Sequence, residues 1–281
     1  MVGIIKFFKN MISITNVQEF RQRFISTIIL SFFFLFLILI GNPFVSIFFS
    51  ILFSFVFFEY EKLASKILQK LQIFKILFLQ VIFLFFTIFE IYEIEFVYLF
   101  FNNHITFLFI AIFFNIIFLF YKKLNFINFI LSNLIIFSFF AIIAILNFPN
   151  GLYIVLYAVI LVSTMDIFAY LGGKLFGKRK IIPTISKGKT IEGTVIGLAS
   201  TILISYFIKD LMNFNVVYSL IYGFFIGILA FSGDLIESVF KRKIGVKDSG
   251  KLIPGHGGLM DRLDGYFIVI PFLYISITLK I

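Results

Sequence analysis

VVYSLIYGFFIGILAFSG, residues 216–233, is an uninterrupted weakly polar to apolar run closed by Asp234. At about 1.5 Å of rise per residue, a helix of this length approaches the ~20 residues that cross ~30 Å of hydrocarbon. Similar runs recur outward in both directions. They place spans at approximately 24–40, 43–58, 73–90, 103–121, 126–147, 151–172, 193–208, 215–235 and 264–279. Backbone amides inside lipid must be satisfied within the segment, so repeated runs of this kind make a helical bundle. No segment carries the alternating pattern of a membrane barrel. The chain is 61% hydrophobic and 14% charged, with a mean hydropathy of +1.11. The pattern predicts an all-α polytopic integral membrane protein of about nine transmembrane helices. The absence of cysteine excludes disulfides, thiolate zinc sites and cysteine nucleophiles.

Charge then sets the topology. Residues 1–23, the 59–75 connection, Lys122 and Lys123, the 173–192 loop and the 236–263 loop hold 22 of the 24 Lys and Arg. The alternate connections hold only Lys209, and the tail holds Lys280. By the positive-inside rule this asymmetry predicts a cytoplasmic N-terminus and two cytoplasmic basic loops. Met1 to Arg23 reads as a lead-in to an uncleaved first span, since no small-x-small cleavage site follows Ile40. The net charge of +10 is spread over the connections rather than gathered on one soluble face. Lipid headgroups and phosphates are therefore the expected partners, not nucleic acid. Composition shifts near residue 150. Residues 1–150 read as a membrane scaffold of about five spans, and residues 151–281 as a catalytic region of about four spans with two cytoplasmic loops.

The polar chemistry concentrates in Gly233–Gly265, GDLIESVFKRKIGVKDSGKLIPGHGGLMDRLDG, which holds five of the fourteen acids, six of the twenty-four bases and one of the two histidines. Asp234, Glu237, Ser238 and Lys241 would share one face of a continuing helix. Asp261 and Asp264 share another, and converge with Asp234 if the eighth and ninth spans lie side by side. Carboxylates without cysteine favour a hard cation, above all Mg²⁺. The plainer alternative for Asp261 and Asp264 is an acid-rich helix start. Gly255, Gly257 and Gly258 stand just ahead of that helix, where backbone N–H groups can approach an anion. With Lys241, Arg242, Lys247, Lys251 and Arg262 nearby, the expected anion is a polyphosphate. Such a mixture points to phosphoryl or nucleotidyl transfer. His256 is assigned to phosphate contact or acid catalysis, with a turn residue as the alternative.

Asp166 lies inside the sixth span, with Tyr170 and Gly173 on its face. An ionisable group there is costly unless it faces a cavity, so it is expected to line the same site; a buried helix-to-helix hydrogen bond is the alternative. Gly188-Lys189-Thr190 suggests a P-loop, but that motif needs glycine where Pro183 stands. Ser186, Lys187, Lys189 and Thr190 remain as a second phosphate-gripping element.

The run S-x-x-K-R-x4-K-D-S-G-x-x-I-P-G-H-G-G-x-x-D-R-x-D, Ser238 to Asp264, resembles the signature of the phosphatidate cytidylyltransferases, also called CDP-diacylglycerol synthases. Gly233-Asp234 and the Asp166, Ala169, Tyr170, Gly172 group also look like family features. Ser186, Lys189, Thr190 and Gly193 resemble a further family element, with Lys187 in place of its proline and Ile191 in place of its aromatic residue. The resemblance covers roughly residues 150–281. It implies Mg²⁺-dependent reaction of CTP with phosphatidic acid in a bacterial inner (plasma) membrane, by a homodimer with its active site facing the cytoplasm. In such a site Asp234 and Asp261 would be metal ligands, with Asp264, Asp248 and Asp166 around them. Lys241, Arg242, Lys247, Arg262, Ser186, Lys189 and Thr190 would hold substrate phosphates.

Two alternatives stay open, and a third is set aside. A related enzyme could use a different lipid phosphate as acceptor. The CDP-alcohol phosphotransferases also cluster membrane aspartates, but Asp264-Gly265 is followed by YFIVIPFLY rather than by their motif, which sets them aside. A cation-coupled transporter would predict ionisable groups near mid-membrane in several spans.

Overall fold

Apolar runs bounded by glycine, proline and charge become helices, because only a helix closes its own backbone hydrogen bonds in an apolar setting. A computed structural model describes residues 40–41, 44–65, 70–92, 105–121, 126–186, 188–250 and 257–279. Its α-helices are α1 (Phe44–Ser65), α2 (Lys70–Tyr92), α3 (Ile105–Tyr121), α4 (Phe126–Leu146), α5 (Gly151–Phe176), α6 (Ile191–Phe207), α7 (Val216–Lys243), α8 (Met260–Leu263) and α9 (Tyr266–Thr278), with a 3₁₀ turn at Lys209–Met212. Lys180 and Thr190 form an isolated extended bridge. Helices thus stand at eight of the nine expected span positions; the first, 24–40, lies outside the described residues except for Ile40.

Phe44–Ala64, Phe126–Leu146, Gly151–Phe176 and Val216–Lys243 are long and apolar enough to cross a membrane. The other apolar helices are shorter. Outward faces carry Leu77, Val81, Phe113, Leu203 and Val217, all exposed, a surface suited to lipid and not to water. The chain is a helical membrane protein. Helix α4 is the most enclosed of the four long helices and packs against α1, α3, α5 and α9. The other half of the bundle is the set α5, α6 and α7.

Small residues make that second set tight. A Cβ on Gly193 of α6 would collide with the Ala169 carbonyl oxygen and stand 2.8 Å from the Gly173 backbone of α5. Gly197 is equally close to Met165 and Ala169. Backbones approach this closely in membranes only through small residues. Helix α7 runs 28 residues, about 42 Å at helical rise. It continues past the expected end near residue 235, because nothing after Asp234 breaks it until Gly245, whose φ is +78°. Gly233 lets α7 touch the backbone of Asp264 and Gly265, which draws Asp234 up to the α8–α9 junction. The ninth span, expected at 264–279, is α9, which starts at Tyr266 and is preceded by the one-turn α8.

Candidate active site

Where α5, α7 and the α8–α9 junction meet the loop before α6, the bundle encloses a cavity of about 510 Å³. Asp166, Tyr170, Ser186, Lys189, Thr190, Asp234, Lys241, Asp248, Asp261, Arg262 and Asp264 all line it. These are eleven of the residues singled out in the sequence, drawn from three helices and two loops. The continuing α7 carries Asp234 and Lys241 two turns apart on one face, as the i, i+7 spacing requires.

Acids and bases alternate along the wall. Lys189 Nζ is 2.8 Å from Asp234 Oδ2. Lys241 Nζ donates to Asp261 Oδ1 at 2.6 Å and stands 3.4 Å from Glu237 Oε1. Ser238 Oγ donates to Asp234 Oδ1 at 3.3 Å. Lys189 also lies 5.2 Å from the centre of the Phe231 ring, and Lys174 5.8 Å from that of Tyr170. Each ammonium is thus held by a carboxylate or a ring and faces a shared space.

The loop before α6 is held from both ends. Ile181 N donates to the Lys189 carbonyl at 3.1 Å and Ile191 N to that of Arg179 at 2.9 Å. Glu192 Oε2 accepts from the amides of Lys178 and Arg179. Thr190 is the N-cap of α6, its Oγ1 accepting from Gly193 N at 3.2 Å. Its hydroxyl hydrogen remains the part that can serve a ligand. Lys187 lies outside the described residues.

Other residues singled out in the sequence stand elsewhere. Arg242 and Lys247 do not line the cavity. Arg242 Nε donates to the Ile185 carbonyl at 2.9 Å and Nη1 to that of Val246 at 2.7 Å, which fastens the 177–190 loop to the end of α7. Lys247 is exposed. Gly257 and Gly258 do not line it either, and no anion cradle forms at Gly258, because its N–H donates to Asp261 Oδ2 at 3.0 Å. Gly257 has φ +86°, a left-handed turn that glycine adopts without strain. His256 and Lys251 lie outside the described residues.

Asp261, expected to be a metal ligand, already has its oxygens engaged. Besides Lys241, they accept from Ser249 N at 3.1 and 2.8 Å and from Gly258 N. Burial works against its ionisation, but the Lys241 bond and these amides outweigh it and hold the carboxyl below its ordinary value of 3.8. Asp166, Asp234 and Asp264 also line the cavity as oxygen donors, Asp234 paired with Lys189 and Ser238 and Asp264 accepting from Gly265 N at 2.7 Å. Among the described residues no three such side chains converge into a metal cage. Mg²⁺, though, is commonly held by one or two carboxylates, with waters and substrate phosphates completing its octahedron, so this donor set fits it.

Two acids carry more of the site than their sequence context suggests. Glu237 is fully buried beside Lys241; its place on the Asp234 face was the available signal. Glu59, from α1, reaches the loop that holds Asp261. No local signal points to it beyond an acid near the end of an apolar run.

The structure is thus a helical membrane bundle around a cavity of paired carboxylates and ammonium groups. The chain belongs to the cytidylyltransferase family, whose model matches residues 21–280. It is 43% identical over 128 residues to the phosphatidate cytidylyltransferase of Staphylococcus aureus (strain COL), covering 45% of this chain and 49% of that protein. The same identity holds over 129 residues with the phosphatidate cytidylyltransferase of Staphylococcus haemolyticus (strain JCSC1435), with 45% and 49% covered. It also holds over 129 residues with YnbB of Escherichia coli (strain K12), with 46% and 43% covered. The matched stretch spans about half the length of these curated relatives.

Proposed function

We propose that the chain transfers the cytidylyl group of CTP to phosphatidic acid, giving CDP-diacylglycerol and pyrophosphate. The observation that carries this is the position of Arg262. It lines the polar cavity and also a second cavity of about 250 Å³, whose other lining residues, among them Phe49, Leu52, Phe139, Val159 and Phe267, carry no charge. An acceptor with a phosphate head and an apolar body matches that junction: the guanidinium takes the phosphate and the apolar side takes chain. Family membership and the relatives named for phosphatidate support the same acceptor.

In the reaction a phosphate oxygen of the lipid forms a bond to the α-phosphorus of CTP. The bond from that phosphorus to the bridging β-phosphate oxygen breaks, and pyrophosphate leaves with the electron pair. No protein nucleophile is needed. Lys189 and Lys241 neutralise the triphosphate, Ser186 and Thr190 offer hydroxyl donors, and Arg262 orients the attacking phosphate. Asp234 and Asp264, with Asp166 beside them, would hold Mg²⁺, which when bound neutralises charge on the substrate phosphates. Asp261 fixes Lys241 and the Ser249 and Gly258 amides, and Asp248 stands at the cavity's edge.

The same proposal includes the topology: nine spans, a cytoplasmic N-terminus, and a site opening to the cytoplasm of a bacterial inner membrane. Residues 1–150 would be scaffold and 151–281 catalytic. The distribution of Lys and Arg over alternate connections supports it. The test of the chemistry uses CTP radiolabelled at its α- or its γ-phosphate, with phosphatidic acid and Mg²⁺. Label entering the lipid from the α-position alone is the expected result. Label from the γ-position would mean a kinase, and label from neither, whatever the lipid phosphate supplied, would refute the proposal.

A further inference from the structure

Glu59 sits near the end of α1, 190 residues from Ser249 and 201 from Met260 in sequence, and is only 5% exposed. Its Oε2 accepts from Met260 N at 3.0 Å and from Ser249 Oγ at 3.4 Å. Ser249, itself 6% exposed, passes the contact on. Its Oγ accepts from Asp261 N at 3.3 Å, and its own N–H donates to the Asp261 carboxylate. Asp261 in turn holds Lys241. A continuous chain of hydrogen bonds therefore runs from Glu59 through Ser249 and Asp261 to the Lys241 ammonium in the cavity wall.

The backbone is shaped to this carboxylate. A Cβ on Gly250 would collide with Glu59 Oε1, and one on Gly258 would collide with Ser249 Oγ and stand 2.8 Å from Glu59 Oε2. Residues 249–250 and 258–260 thus close directly around Glu59, and a side chain at Gly258 would also meet the Gly250 backbone N at 2.7 Å. A buried carboxylate is costly unless donors meet it, so its placement against two donors of one loop is specific. Glu59 does not line the polar cavity and cannot touch substrate there. It lines a separate cavity of about 920 Å³ with Lys62, Ser249 and Gly250, and it reaches the polar cavity only through the groups it holds.

We propose that Glu59 is a positioning residue: it clamps Ser249 and Met260 so that Asp261 and Lys241 keep the geometry that binds the reacting phosphates. The catalytic consequence rests on the function proposed above, whereas the clamp itself does not.

The test compares the full chain with Glu59→Gln, Glu59→Ala and Ser249→Ala in the same membranes, by two readouts. Hydrogen exchange in the absence of substrate reads the amides of Ser249, Gly258, Met260 and Asp261. Glu59→Ala is expected to lose protection there while α5, α6 and α7 keep theirs, and Glu59→Gln, which retains one acceptor oxygen, to lose less. In the CTP and phosphatidic acid assay, kcat falls on the order of tenfold or more in Glu59→Ala, as for other partners that orient site residues. The KM for CTP changes little, and Glu59→Gln recovers part of the rate. Protection retained at those amides in Glu59→Ala, or an unchanged kcat, overturns the proposal. If Glu59→Ala does not accumulate, Ser249→Ala breaks the same link and is read against the same outcomes. If the parent chain forms no CDP-diacylglycerol, the reaction proposed above fails, and the exchange data still decide for or against the clamp.

Discussion

Single residues show how one wall can serve both cations and anions. Lys189 with Asp234, and Lys241 with Asp261, are opposite charges held at 2.8 and 2.6 Å around a shared cavity. Pairing keeps each charge tolerable in a site sunk into an apolar bundle. Glu237 makes the arrangement around Lys241 asymmetric, since it adds a second, fully buried carboxylate at 3.4 Å. Replacing it as Glu237→Gln removes that charge at nearly constant volume. We expect turnover to fall on the order of tenfold while helix content by circular dichroism stays unchanged; an unaltered rate would make Glu237 a packing residue only. The sequence spacing of Asp234, Glu237 and Lys241 on a helical face made this group legible. The partners of Asp261 were not, because whether its oxygens meet a metal or the amides of Ser249 and Gly258 depends on a turn with φ +86° at Gly257 that no periodicity describes.

At the scale of elements, the site depends on close approach. Helix α6 presents Gly193 and Gly197 to α5, and the loop before α6 carries Lys189 to Asp234 only because those helices touch backbone to backbone. Gly193→Leu forces them apart. An overpacked contact of this kind costs about 1–3 kcal/mol, so the variant should unfold at a lower temperature in detergent and lose CTP binding together. Unchanged unfolding would mean that α5 and α6 accommodate the side chain without strain. Hydropathy alone placed these helices within a few residues, since a run of apolar residues has no alternative in lipid. It did not place their ends. Helix α7 runs to Lys243 because Asp234, Glu237 and Lys241 are good enough helix residues, with cavity and cation partners, to extend a span beyond its apolar part.

Across the whole molecule, the four long apolar helices and the exposed apolar faces make it a membrane protein, and both basic loops converge on one end of the bundle at the cavity. The chain has no cysteine, so single introduced cysteines report its sidedness without background. Arg179→Cys and Lys247→Cys should react with an impermeant maleimide only from the cytoplasmic side, and Asp210→Cys only from the opposite side. Labelling of Asp210→Cys and Lys247→Cys from the same side would contradict the proposed topology. The charge asymmetry that predicts this orientation is read from the sequence alone. The contribution of Glu59 is not, since a contact between α1 and residues 249–260 is a property of packing and not of local pattern.

The central claim is cytidylyl transfer to a lipid phosphate at the Asp234–Lys189 and Asp261–Lys241 wall. The most direct test is formation of CDP-diacylglycerol from CTP, phosphatidic acid and Mg²⁺ by membranes carrying the parent chain or Asp234→Asn at equal abundance. The account predicts product from the parent and a loss of on the order of a hundredfold or more in the variant, which removes both a phosphate-site charge and a cation ligand. Equal product from both would take the chemistry out of this cavity.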